Sequence, residues 1–128
     1  MNFISGMRLT LRFGATVFGI SAIFLMIFPK FFLELLDLSA NSDLIWSMQM
    51  IGITLIALAG NMHMVSVTAT DKGVINSALI MMISATGLGV LTLLIPADLN
   101  WFSIVYSTIG FAFGAIYATL LLRWRSSR

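Results

Sequence analysis

The chain has 128 residues, of which 59% are hydrophobic and only 9% charged, and its mean hydropathy is +1.02. A soluble domain carries about 25% charged residues, so too little polar surface is present to cover a water-soluble globule, and the main solvent is expected to be lipid. The net charge of +2 does not point to nucleic acid, because the seven Lys and Arg fall at the ends of apolar runs, as membrane anchors do, and the lack of cysteine excludes a disulfide framework and thiolate chemistry.

A helix needs about 20 apolar residues to cross the hydrocarbon layer, and four runs reach that length. The first is Leu9 to Phe28, with Arg8 and Arg12 placed near its start to snorkel toward headgroups. The opening MNFISGMRLTLR has the look of a secretory signal. No small-x-small cleavage site follows the apolar core, however, so a retained first helix is expected. Pro29 closes the run, since the residue before a proline is pushed out of the helical region and proline cannot donate to the preceding turn.

Residues 30–38, KFFLELLDL, are too short and too charged to span. Lys30, Glu34 and Asp37 recur on one side, with Phe31, Phe32, Leu35 and Leu36 filling the other. This pattern predicts an interfacial helix with Pro29 at or near its first position and its aromatic face in the acyl boundary; the alternative is a linker packed on the bundle. Ser39 to Asp43 supply turn and N-cap chemistry for the next helix.

The second run, Leu44 to Val67, holds the one histidine of the chain. The polar turn TATDKG, Thr68 to Gly73, is short enough to force an antiparallel return. The third run is Val74 to Ile95, ended by Pro96, and the fourth is Trp101 to Trp124. Trp46, Trp101 and Trp124 stand at run ends, where indoles are favoured at headgroup level. The expected fold is therefore an all-α membrane protein, one antiparallel four-helix bundle over residues 1–128. Four spans gather Arg8, Arg12, Lys72, Arg123, Arg125 and Arg128 on one side and leave Lys30 alone on the other. By the positive-inside bias both termini are expected in the cytoplasm, with a bacterial inner membrane as the location.

Helix association in lipid relies on small residues that let backbones approach. Ser103, Ser107, Gly110, Gly114 and Ala118 form the clearest such stripe, containing GFAFG. Its partner is left open among the third helix, the first helix and a second copy of the chain. Ala85 with Gly89 (and Ala78 in heptad register) serves the third run, and Ala15 with Gly19 the first.

Charged residues deep in spans mark ion and proton pathways, and no carboxylate lies within Leu9 to Phe28, where a proton-coupled small multidrug exporter needs one. A transporter is accordingly the least favoured reading. Gln49, Gly52, Ile56, Ala59, His63 and Ser66 are separated by three or four residues and are expected to share an inward face. His63, Ala59 and Gln49 are thus candidate cofactor-binding residues, for haem, a chlorophyll-type pigment or a quinone. The spacing of Ala59 and His63 is similar to that in bacterial light-harvesting polypeptides. The plainer reading makes His63 a hydrogen-bonding packing residue, and Gln49, Asn61 and Asn76 interhelical glue. No nucleophile with a base, carboxylate dyad, phosphate loop or metal-ligand spacing is assembled, so no catalytic or metal site is expected.

The layout resembles that of DoxX-like small bacterial inner-membrane proteins. The similarity rests on a first helix ending in Pro29, the FFLELLDL segment after it and the second-helix stretch MIGITLIALAG. It implies four spans and membership of membrane complexes, some of them quinone-linked oxidoreductases, and it carries no site residue over. The function expected is a non-catalytic accessory or assembly subunit; a cofactor-, pigment- or quinone-binding subunit is the alternative. Its partners would be the bilayer and either another membrane protein or a second copy, with no nucleic acid.

Overall fold

The computed structural model describes residues 2–128, which form helices and connections with no strand. The helices are α1 (Phe3–Ile27), α2 (Pro29–Leu35), α3 (Ser42–Thr68), α4 (Asp71–Leu93) and α5 (Trp101–Ser126). All except α2 are long and apolar enough to cross a membrane. The chain is a multi-pass membrane protein, and exposed side chains such as Ile20, Ile80, Leu91 and Ile104 meet lipid.

Each spanning helix starts where a polar side chain takes up an orphan amide. Asn2 Oδ1 accepts from the Ile4 amide, Asn41 Oδ1 from Leu44, Thr70 Oγ1 from Gly73, and Asn100 forms a capping box with Ser103. These caps lie outside the apolar runs. For that reason α1 begins six residues before Leu9, and α4 takes Asp71 to Gly73 from the expected turn into its first turn.

α1 packs along α3 and α4 along α5, whereas α3 and α4 touch little despite their short connection. The bundle is thus two helical hairpins laid side by side, joined through α1 against α5 and α4. At the basic end the join is filled by Met7 and Leu11 of α1, Val74 and Ala78 of α4, and Tyr117 of α5.

Arg8 fastens this end. Its Nη1 donates to the Ser66 carbonyl at 3.0 Å, and its Nη2 to the Ala69 carbonyl at 2.8 Å and to Asp71 Oδ1 at 3.2 Å. The last carbonyls of a helix have no intrahelical partner, and a cation there also complements the helix dipole. Arg8, expected near the headgroups, thus has a further role that its place in the chain does not reveal: it caps α3. Arg12 is exposed, with Nε 3.4 Å from Ser66 Oγ.

The opposite end is closed by α2. Its helix stops at Leu35 rather than Leu38 because Asp37 enters the left-handed region at φ 60°. The Leu38 amide then donates to the Leu33 carbonyl and the Asp37 amide to that of Glu34, a Schellman termination. Phe32 and Leu33 are buried; the Phe32 ring lies 5.5 Å from Phe24, 5.5 Å from Phe102 and 5.7 Å from Tyr106, edge-on in each case. Asn100 Nδ2 donates to the Leu35 carbonyl at 2.9 Å. The aromatic face expected in the acyl boundary is thus split. Phe31 faces outward, while Phe32 plugs the bundle because an aromatic cluster from α1 and α5 is there to receive it.

Candidate functional site

The small-residue stripe of α5 meets α4 of the same chain. Ser107 Oγ donates to the Gly89 carbonyl at 3.1 Å. A methyl added at Gly110 would stand 2.9 Å from the Ala85 carbonyl oxygen and 3.0 Å from the Gly89 nitrogen, so here backbone runs against backbone. One added at Gly114 would collide with Thr86 Oγ1, and Gly89 is covered by the Phe111 ring. Ser103 is buried at the α5 cap, and Ala78 and Ala85 are buried on α4. Ala118 lies at the edge of this seam, on an open outward groove that also takes in Gly87 and Ala115.

The first hairpin is held by a different set. Gly52 admits α1: an added methyl would lie 2.9 Å from Met26 Cγ and 3.2 Å from the Ala22 carbonyl oxygen. Ala15 is buried in the core, while nothing lies within 4 Å of a methyl built at Gly19.

The inward stripe on α3 needs correction. Gly52 and Ser66 are buried as expected, but Ile56 and His63 are exposed and Met62 occupies the interior. At about 100° per residue, the buried face on Gly52, Leu55, Met62 and Ser66 is centred roughly 50° from that stripe, and His63 falls outside it. In the described structure His63 contributes its carbonyl, which accepts from Ser66 Oγ at 2.7 Å. Gln49 Nε2 lies 3.5 Å from the Met26 carbonyl, a weak tie between α3 and α1. Ala59 is half-buried. Gln49 is fourteen residues from His63, about 21 Å along the helix at 1.5 Å each, so the three do not converge on one ligand. Nor do Asn61 and Asn76 act as interhelical glue: Asn61 donates to Ala57 of its own helix at 2.8 Å, and Asn76 is exposed.

What the fold does assemble is a cavity between the hairpins, of about 120 Å³. Gly14, Phe18 and Ser21 of α1, Met62 of α3, Met81 of α4 and Tyr117 of α5 are among its walls. Its lining is almost wholly apolar and includes no charged residue. Two phenols mark its ends. Tyr106 Oη donates to Ser21 Oγ at 3.1 Å. Tyr117, 1% exposed, has a buried hydroxyl with no hydrogen-bond partner among the described residues. That hydroxyl lies 3.5 Å from where a methyl on Gly14 would sit, a place the Met62 methyl already fills at 2.6 Å, so Gly14 makes room there for the side chains of α3 and α5. Leu88 and Ile109 line the same cavity and are exposed, which puts its rim at the lipid face.

Both tyrosines lie inside an apolar run, where hydropathy does not set them apart. A signal was present: they are the two tyrosines of the chain, and eleven residues is about three helical turns, which places them on one face. Chemically the cavity suits a neutral apolar molecule and offers it the Tyr117 hydroxyl as a donor; with an uncharged lining it gives an ion no counter-charge. No family model, curated protein or solved structure matches this chain.

Proposed function

We propose that this protein is a non-catalytic accessory or assembly subunit of a bacterial inner-membrane complex, with both termini in the cytoplasm. The observation that carries the reading is a division among its small residues. Ser107, Gly89 and Gly110 are used up in closing α4 on α5, whereas Gly87 looks onto open space and borders, with Gly114, Ala115, Ala118 and larger side chains such as Ile83, Leu91 and Phe111, the outward groove. Glycine within a helix costs about 1 kcal/mol relative to alanine. In a membrane, small residues set into an outward face let another helix approach closely. The groove would receive a transmembrane helix of a partner.

The orientation rests on charge. Arg8, Arg12, Lys72, Arg123, Arg125 and Arg128 belong to the ends of α1, α4 and α5 that share one side, against Lys30 on the other. The DoxX-like resemblance belongs to the same proposal, because it implies membership of membrane complexes.

Purification of the tagged chain from native membranes in mild detergent tests the role. A membrane protein should co-purify in fixed ratio and be lost on Gly87→Leu. A chain that always runs alone would sink the proposal. Because the chain has no cysteine, single cysteines introduced at Ser127 and at Ser39 report sidedness: an impermeant thiol reagent applied outside should label only the second.

A further inference from the structure

We infer that the cavity between the hairpins is a binding site for a neutral, single-ring molecule that carries one hydrogen-bond acceptor, such as a carbonyl, and enters from the bilayer. Three observations converge on it. The cavity holds about 120 Å³, somewhat less than the roughly 150 Å³ of an apolar cavity that encloses benzene; the open rim at Leu88 and Ile109 leaves room for the remainder. Its lining is apolar and uncharged, so it selects against ions. And Tyr117, 1% exposed, holds at its inner wall a hydroxyl with no hydrogen-bond partner among the described residues, beside Gly14 and the flexible end of Met62.

A buried hydroxyl without a partner is costly, and native proteins rarely keep one. Water is a poor remedy here. A buried water is typically held by about three hydrogen bonds, and the inner wall supplies the single phenol. Of the other hydroxyls of the cavity, Tyr106 donates to Ser21 and Thr92 to the Leu88 carbonyl of its own helix. Ser21 also lies seven residues beyond Gly14, about 10 Å along α1, so a ring seated against Tyr117 does not reach it. One acceptor on the ligand is therefore what the site can satisfy. A carbonyl takes the Tyr117 proton as a hydrogen bond, the ring replaces dry space against Phe18, Met62 and Met81, and a substituent passes outward at the rim.

Benzonitrile and phenylacetylene test this as a pair, being alike in shape while only the nitrile is a good acceptor. The nitrile stretch also reports hydrogen bonding directly by infrared absorption. With the purified chain in micelles, benzonitrile should bind saturably with a hydrogen-bonded nitrile band. It should bind about fivefold to tenfold more tightly than phenylacetylene, the equivalent of one net hydrogen bond. Tyr117→Phe keeps the ring and should remove both the band and the preference, leaving phenylacetylene binding unchanged. Val17→Phe, which fills the space from α1, should abolish saturable binding of either compound while the protein keeps its helical spectrum and gel-filtration position. The inference is overturned if the wild type shows no saturable binding, if Tyr117→Phe retains the band, or if folded Val17→Phe still binds.

Discussion

The α4–α5 seam and the junction between the two hairpins are built from the same kind of helix, yet one is sealed and the other is not. At the seam, Gly110 brings its backbone against Ala85 and Gly89, and Ser107 adds a hydrogen bond to the Gly89 carbonyl. At the junction, Gly14 removes a side chain in the same way, but opposite it stand Met62 and Tyr117, whose bulk holds the helices apart. Backbone against backbone thus seals the seam, whereas at the junction large side chains meet and leave space between the hairpins. Without a hydrophobic drive between helices in lipid, nothing forces such a space to collapse.

That contrast can be broken by substitution, most severely at Gly110. Gly110→Ala puts a methyl into the backbone of α4, where no side chain can yield, and should cost about 3 kcal/mol, the upper end of overpacking. Reversible unfolding in mixed micelles would measure it. Arg8→Ala should cost about 2 kcal/mol, because the Ser66 and Ala69 carbonyls lose their donor. Little of that loss comes from Asp71, whose side chain is 73% exposed. The same assay should show Arg8→Lys recovering part of the effect, since an ammonium can reach one carbonyl but lacks the fork.

Ser107→Ala should cost about 0.6 kcal/mol, an average interhelical hydrogen bond in a membrane, and would sharpen how much of the seam is contact rather than bonding. Smallest of all, His63→Ala should change stability by less than about 0.5 kcal/mol, as expected of an exposed position away from any packed feature. A large loss there would mean that the buried face of α3 is not centred on Met62.

These sites also show what could be read from the chain. The spans follow from apolar run length, and the α5 stripe was visible because Ser103, Ser107, Gly110 and Gly114 recur every three or four residues. Two things resisted reading. The orientation of α3 was misjudged because polar His63 drew the inward face toward itself, while Met48, Leu55 and Met62, apolar like most of the run, gave no contrast; in lipid an exposed and a buried residue can both be Leu, Ile or Met. The cavity was hidden because it depends on how Phe18, Met81 and Tyr117, from three different helices, come to rest against one another. Arg8 was legible as a basic residue at a span end, but its partners lie 58 and 61 residues away.

The most direct test of a sealed seam beside an open junction compares Gly110→Ala with Tyr117→Phe in one unfolding assay on ligand-free protein. Gly110→Ala should lose about 3 kcal/mol. Tyr117→Phe should be neutral or gain up to about 1 kcal/mol, since it deletes a buried hydroxyl that has no partner. The reverse order, with Gly110→Ala tolerated and Tyr117→Phe strongly destabilised, would contradict the account.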